Sequence, residues 1–593
     1  MRNHLTAALG LFAGVVLCVA PQATAHPGAA AGDTVRTTTA QAGPDTAAQA
    51  AADPAYKILV FSRTAGFRHS SIDDGIAALR DLGTANNFTV DATEDPGTFT
   101  TGNLAQYKAV VFLSTTGDVL GDAQQTAFES YVNGGGGYVG IHAAADTEYD
   151  WPFYEGLAGA LFHSHPAIQP ATVEVEDRAH DATAHLGGTW QRTDEWYNYR
   201  TNPRTTAHVL ASLDESSYSG GNMNGDHPIA WCKDYEGGRA FYTGGGHTDE
   251  SYTDPGFRRH LLGGVRWAAG MTNADCRPES GYTSLFDGSG TTGWQQAGPG
   301  GFTLADGTLT SHGGLGMLWY AAEEFTGDYS LKLDWKASGD DNSGVFVGFP
   351  ASDDPWSAVN NGYEIQIDAT DAADRTTGAV YGFKSADLPA RDAALNPPGE
   401  WNTYELRVTG ERLEIFLNGV KVNDFTNTDP ARSLRQGHIG LQNHGDGDEV
   451  AFRDIRVKQD GTPPTGPRTG PVTGVDGKCL DVDNSGTADG TGVQVWTCNG
   501  SAAQDWTVGG DGTLKALGKC LDVSGGGSAD GTRIQLWTCN GTGAQKWAAQ
   551  PDGTVRNPQS AKCLDASGGT WNDGTPVHLW TCHTGQNQKW TLP

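Results

Sequence analysis

The end of this 593-residue chain is written three times. Each copy, about 42 residues long, opens on Lys-Cys-Leu-Asp, runs through Trp-Thr-Cys and closes on Gln-x-Trp. The closing pairs are Gln504/Trp506, Gln545/Trp547 and Gln588/Trp590. One such all-β unit is too small to bury a core, so the three copies are expected to pack about a pseudo-threefold axis, with the closing tryptophans inside. Within them cysteines recur as Cys479/Cys498, Cys520/Cys539 and Cys563/Cys582, each pair 19 residues apart.

The other end of the chain bears on where such cysteines would oxidise. Arg2, an apolar run from Ala7 to Ala20 and the Ala23-Thr24-Ala25 site read as a secretory signal peptide over residues 1–25, too short to span a bilayer. Leu17 before Cys18 argues against a lipid anchor. Removing the peptide removes Cys18 and leaves an even set in an exported chain, which reads as disulfides; Cys232 and Cys276 are the candidates for a fourth pair. No C-x-x-C spacing supports zinc instead. A net charge of −31 repels phosphate backbones and argues against a nucleic-acid partner, and no other segment reads as a membrane span. Nothing in the sequence fixes an oligomeric state.

Composition marks the joints. Residues 26–54 are rich in Ala, Thr, Gly and Gln and read as a disordered lead-in. A break falls near 272–280, around Pro278. Residues 460–470, with Pro463, Pro464 and Pro467, read as a Pro/Gly linker. Three folded units follow: 55–271, 279–459 and 471–593.

In the first unit, buried-strand runs at Lys57 to Phe61, Ala109 to Leu113 and Gly137 to Ile141 alternate with amphipathic helices at Asp73 to Gly83 and Asp122 to Asn133. That order predicts a parallel sheet with helices on both faces. The second unit alternates apolar and polar residues at period two, in Ser330 to Trp335, Gly344 to Phe349, Tyr363 to Asp368, Tyr404 to Val408 and Arg412 to Leu417. With a hairpin at Asn418-Gly419, it predicts an antiparallel β-sandwich.

The repeated unit resembles ricin-B-type lectin domains, which are β-trefoils. The resemblance implies one sugar pocket per copy, made of an Asp, a polar residue and an aromatic two residues later. These would be Asp481, Gln494 and Trp496; Asp522, Gln535 and Trp537; and Asp565, His578 and Trp580. A carboxylate can accept from adjacent sugar hydroxyls while an aromatic face covers the apolar side of the ring. Of the Asn that often precedes the closing Gln in that family, only Asn587 is present; Ala503 and Ala544 stand in the other copies. His578 stands where the first two copies have Gln.

The second unit resembles the 3-keto-disaccharide hydrolase (3-keto-glucoside lyase/hydratase) family, a concanavalin/laminin-G-like sandwich. The matching stretches are L-F-D-G at 285–288, N-S-G-V-F at 342–346, G-Y-E-I-Q-I-D at 362–368, T-G-A-V-Y-G at 377–382, G-E-W-N-T-Y-E at 399–405 and G-H-I-G-L-Q-N-H-G at 437–445. On the strand from Tyr363, alternation sends Ile365 and Ile367 to the core and places Glu364, Gln366 and Asp368 on the open face. A 3-keto sugar has an acidic hydrogen at C2, so a base can form an enolate that expels the C1 substituent, and water then adds back. The expectation is Glu364 or His444 as base, Tyr381 as donor to the leaving oxygen, and Lys384 or a cation at the enolate. Gln366 and Asp368 would position the sugar or a metal. Gly348 stands where family members often carry Arg.

The first unit resembles the trehalose-utilisation (ThuA-like) family on a flavodoxin-like, class I amidotransferase-like fold. The residues are R-T-A-G-F-R-H at 63–69, G-G-Y-V-G-I-H at 136–142, Asp146, Trp151, Tyr154 and G-G-G-H at 244–247. Amidotransferases place a nucleophilic Cys at the turn where this chain has His142, and an imidazole cannot form their thioester. Arg63, His69, His142, Asp146, Trp151 and His247 are expected to bind substrate. His163, His165, Asp194, Glu195, Trp196, Tyr197 and Glu250 lie around them in the sequence. His, carboxylate and aromatic together suit a polyol or sugar, with a divalent metal as the cofactor such a set can hold.

The function expected is a secreted carbohydrate-active hydrolase or lyase on 3-keto glycosides or related disaccharides, with an oligo- or polysaccharide as partner of the lectin. The alternative is a non-catalytic extracellular glycan-binding protein. A serine hydrolase is disfavoured because no G-x-S-x-G elbow is present.

Overall fold

The computed structural model describes residues 52–459, 468–509, 512–550 and 553–592. The signal peptide, all but the last residues of the lead-in and most of the Pro/Gly linker lie outside them. Among the described residues no helix is long and apolar enough to cross a membrane.

The first unit forms where its apolar runs lie. Strands Tyr56–Phe61, Ala109–Leu113 and Gly137–Ile141 pair in parallel, joined by Phe88–Thr93 on one side and Gly238–Thr243 on the other. The central strands are buried on both faces, which is why they are continuously apolar. Helix Ile72–Ala85 carries Ala78, Leu79 and Leu82 inward, and Asp122–Asn133 carries Phe128 and Val132. The sheet then continues beyond the parallel set. Pro228–Tyr235, His208–Leu213, Gln169–Val175 and Thr189–Asp194 extend it antiparallel to nine strands. The turn at Glu236 and Gly237, both at positive φ (48° and 95°), makes this reversal. It is a two-residue hairpin connection of the kind that joins antiparallel strands.

The joint near 272–280 is pinned rather than loose. Cys276 is bonded to Cys232, and Lys332 of the second unit reaches Asp275 at 3.0 Å and Glu279 at 2.9 Å. Arg266 bridges Asp53, Asp181 and Glu400 nearby.

The second unit is two stacked antiparallel sheets of eight and six strands. Leu331, Leu333, Val345, Val347, Ile365, Ile367, Leu406, Ile415, Ile439 and Leu441 fill the space between them. Asn418-Gly419 makes the two-residue hairpin expected of it, with φ of 46° and 83° and Leu417 opposite Val420.

The third unit closes on itself. Strands Thr491–Thr497, Thr532–Trp537 and Thr575–Trp580, one per copy, pair each with the other two. Trp506, Trp547 and Trp590 lie in the core, and their indoles donate to the carbonyls of Leu480, Leu521 and Leu564. The disulfides Cys479–Cys498, Cys520–Cys539 and Cys563–Cys582 form at the spacing read from the sequence.

These bonds are half-surface links rather than interior staples. Cys479, Cys520 and Cys563 are buried on strands Lys478–Val482, Lys519–Val523 and Lys562–Ala566. Their partners Cys498, Cys539 and Cys582 are exposed. The reason is position: each of those three lies one or two residues past the end of its strand, at Thr497, Trp537 and Trp580, where the chain has left the sheet. Each bond therefore ties a loop to a core strand, and its effect is on chain entropy rather than on burial.

Each copy is also clamped by the one before it. Asp489 accepts from Lys519 and Thr538, Asp530 from Lys562 and Thr581, and Asp573 from Lys478 and Thr497.

Candidate functional site

The carboxyl ends of the parallel strands gather the histidines of the first unit, as open α/β sheets gather ligand-binding groups. His142 follows Gly137–Ile141 with φ at 50°, a conformation that stores strain in a non-glycine residue. Its Nδ1 lies 2.9 Å from the Gly244 carbonyl, which can only accept, so in the neutral ring the proton sits there and Nε2 carries the lone pair. That Nε2 is 3.1 Å from His247 Nδ1 and 3.5 Å from Glu195 Oε2, and His247 Nδ1 is 3.1 Å from the same oxygen. His69 completes the group edge-on, its ring 4.9 Å from His142 and 5.0 Å from His247.

The surroundings hold these side chains in place. Asp194 accepts the backbone N–H groups of Gly246 and His247, and Gly246 at φ 108° lets that loop turn. His165 Nδ1 is 2.9 Å from the other Glu195 oxygen, and Tyr197 lies against the His142 ring. Burial pushes His69 down to about 3, so it is neutral at pH 7. Burial raises the Glu195 carboxyl, but the His142 and His247 rings beside it outweigh that and hold the group below its ordinary range.

The other expected residues of this unit are placed differently. Asp146 accepts from Tyr149, and burial raises its carboxyl. Arg63 donates to the Val119 carbonyl. Trp151 packs on Tyr154 and Phe128 and donates to Glu129; it is a core residue, not a wall of the site. His163 is exposed beside Ser164.

On the sandwich, Glu364, Gln366 and Asp368 lie on the face opposite Ile365 and Ile367, but that face is not open: all three are buried. Phe346, Met317, Trp319 and helix Trp356–Asn361 cover much of it. Gly344 is opposite Gln366, and a Cβ there would fall 2.8 Å from the Glu364 side chain, so this glycine makes room for the carboxyl. Burial pushes Glu364 up to about 7, against one bond from Gln442. Among the described residues, Oε1 of Gln366 and Oε1 of Gln442 are buried acceptors without a partner.

A polar chain links the rest. His444 Nδ1 is 2.9 Å from Asp448 Oδ2, Asp448 Oδ1 accepts from Asn342 N, and the Asn342 side chain bonds both Gln366 and Asp368. Asn342 and Asp448 were not anticipated. Asp368 is largely occupied, because its other oxygen caps the turn at Thr370 and Asp371. Tyr381 donates its N–H to the Glu364 carbonyl and leaves its ring half exposed, with Arg375 over it. Lys384 is exposed and closes the turn after Val380, its N–H donating to the Val380 carbonyl.

Tyr404 fixes this strand from behind. Its buried hydroxyl donates to the Gln366 carbonyl at 2.7 Å and accepts from Gly378 N at 2.8 Å. Tyr404→Phe is expected to lower unfolding free energy by about 1–2 kcal/mol, measured by urea titration, because Gly378 N keeps its second bond to the Gln366 carbonyl. No change would mean that the hydroxyl does not hold the loop.

The trefoil repeats one arrangement three times. Asp481 accepts from Gln494 and Gln504, Asp522 from Gln535 and Gln545, and Asp565 from Gln588 and Asn587 with His578 Nε2 at 2.9 Å. Gln504, Gln545 and Gln588 were not anticipated at the pockets; their fixed spacing of 23 residues from each Asp was the available signal. Trp496, Trp537 and Trp580 are 37–39% exposed, the only exposed tryptophans besides Trp356 among the described residues.

Comparison with known proteins follows the same division. A family model described as trehalose utilisation (ThuA) matches residues 57–268, one described as a 3-keto-alpha-glucoside-1,2-lyase-like domain matches 281–458, and one described as a ricin-type beta-trefoil lectin domain matches 468–590. A 3-keto-disaccharide hydrolase of Bacteroides thetaiotaomicron is 26% identical over 232 residues, 30% of this chain and 78% of that protein. The crystal structure of a protein described as thua-like, from Bacteroides uniformis, is 28% identical with a TM-score of 0.33, over 37% of this chain and 94% of that one. The agglutinin of Abrus precatorius is 26% identical with a TM-score of 0.20, over 22% of this chain and 49% of its own. The chain therefore carries ThuA, 3-keto-disaccharide hydrolase-like and ricin-B lectin domains, in that order.

Proposed function

We propose that this protein is a secreted enzyme that cleaves 3-keto glycosides or related disaccharides on its middle domain and is held on oligo- or polysaccharide by its trefoil. The observation that carries the reading is the Glu364 carboxyl, buried, raised to about 7 and flanked by the two unpartnered amide oxygens of Gln366 and Gln442. A base near pH 7 suits proton abstraction beside a ketone, and buried acceptors suit sugar hydroxyls as donors. The likeness to the B. thetaiotaomicron hydrolase supports the substrate class.

In this mechanism Glu364 takes the C2 proton and the electrons pass to the 3-keto oxygen as an enolate. The enolate then expels the C1 oxygen, which is protonated by Tyr381; water adds its hydroxyl to C1 of the resulting enone and gives its proton back to Tyr381, while Glu364 returns the first proton to C2, completing a net hydrolysis. Lys384 would supply the positive charge that meets the enolate. His444 acts as a positioning residue, through Asp448 and Asn342, on Gln366. Asp368 holds Asn342 and the turn. Four disulfides and the apolar N-terminal segment support secretion.

A non-catalytic glycan-binding protein is the second reading, favoured by one contrast: the three trefoil tryptophans are exposed, whereas Glu364 is covered. Incubation with a 3-keto disaccharide separates the two. Free glucose is expected from the full chain, and its release should slow about tenfold or more in His444→Ala. Turnover absent from the wild-type protein would leave only the binding role.

A further inference from the structure

The four side chains at the carboxyl ends of the first unit's strands are arranged as metal ligands are. We propose that His69, His142, His247 and Glu195 bind one divalent first-row transition metal, making the first unit a second, metal-dependent centre separate from the sandwich. Their ligand atoms all lie within 4.8 Å of one another. The separations among His142 Nε2, His247 Nδ1 and Glu195 Oε2 are 3.1, 3.1 and 3.5 Å. Two ligands each about 2.1 Å from one ion lie about 3.0 Å apart at right angles and about 3.4 Å apart at tetrahedral angles. The three contacts therefore match edges of one coordination polyhedron.

Hydrogen bonding alone does not satisfy the same atoms. In the neutral ring the bond to Gly244 fixes the His142 proton on Nδ1, so its Nε2 and Glu195 Oε2 are both acceptors. His247 Nδ1 faces both with a single proton to give. His69 is 4% exposed, and its Nδ1 has no partner among the described residues. A cation resolves all of these shortfalls together.

The shell behind the ligands is of the kind that orients metal-bound groups. The Gly244 carbonyl sets the His142 tautomer, His165 reaches the second Glu195 oxygen, and Asp194 anchors the backbone of His247. Three neutral imidazoles and one carboxylate leave a bound dication with net positive charge, the condition for polarising an oxygen donor. The remaining position would take water or adjacent oxygens of a polyol, and Phe67, 68% exposed with its ring 4.9 Å from His69, stands where a sugar face could pack. The other His/Cys cluster, His180 with Cys232 and Cys276, offers no site, since both sulfurs are consumed in a disulfide.

The test uses the full chain, stripped with a chelator, desalted and titrated with Co²⁺, Mn²⁺ and Zn²⁺. About one ion per chain should survive gel filtration, with Co²⁺ giving ligand-field absorption and no thiolate charge-transfer band. X-ray absorption should show imidazole scattering around the ion. Glu195→Gln and His142→Ala should each weaken binding by about a hundredfold or more, with metal-free melting curves as the folding control. If a variant does not fold, the imidazole signature in the wild-type protein decides. A stoichiometry below about a tenth of an ion per chain, full-affinity binding in both folded variants, or a first shell without imidazole would overturn the assignment.

Discussion

Glu364→Gln is expected to abolish turnover of 3-keto glycosides and, in the same protein, to raise stability above neutral pH. Removing a general base costs about 10²–10⁴ in rate. The stability effect follows from the carboxyl's environment. Its value in the unfolded chain is the ordinary 4.5, and burial raises it to about 7 in the folded protein. Between those values the folded state holds the extra proton, so the stability this group contributes is fully present below 4.5 and is lost as the pH rises through 7. The loss reaches about 3 kcal/mol at most, at 1.36 kcal/mol per unit. Glutamine carries no charge and escapes it. Denaturant titrations should therefore show the variant more stable than wild type at pH 8 and nearly equal at pH 4. Wild-type turnover should rise with pH through 7 as the base ionises. A variant that turns over normally would remove Glu364 from the chemistry. One with no pH-dependent difference in stability would mean that the carboxyl titrates alike in the folded and unfolded chain.

The triple substitution Asp481→Asn, Asp522→Asn and Asp565→Asn is expected to release the protein from insoluble polysaccharide. Each carboxylate is buried and accepts bonds from two or more side chains of its own copy, and its cross-strand partner, Gln494, Gln535 or His578, lies two residues before an exposed tryptophan. Charge-assisted bonds to hydroxyls are stronger than neutral ones, and three linked pockets multiply rather than add. A single substitution should weaken binding by several-fold, and the triple by about 10²–10⁴. A pull-down across ligand density reads the difference. If one single variant equals the triple, only that pocket binds; if the triple binds like wild type, the trefoil holds carbohydrate elsewhere or not at all.

The sequence showed best what is periodic or local. Runs such as Ala109–Leu113, the turn at Asn418-Gly419 and the 19-residue cysteine spacing each report a short-range rule, and each element formed there. Spacing did not reveal that Cys498, Cys539 and Cys582 face solvent, because exposure depends on where each strand stops. The candidate sites were less visible because their members meet across the fold. His142 and His247 are 105 residues apart, and no pattern along the chain announces that both converge on Glu195. Asn342 and Asp448 were missed for the same reason, being 106 residues apart. Alternation did place Glu364 and Gln366 on one face of their strand. It could not show that Phe346, Trp319 and a short helix bury that face, and burial is what shifts the carboxyl. The antiparallel half of the first sheet was missed although Glu236-Gly237 was a readable hairpin turn.

The three aspartate clamps of the trefoil run from the first copy to the second, the second to the third, and the third back to the first. A circle of dependence has no terminal member. Moving the chain ends to a gap between any two copies would leave every clamp in place, whereas deleting one copy would break two of the three. Tolerance of permutation together with intolerance of truncation is the behaviour this ring implies, and it would make the domain fold as a whole or not at all.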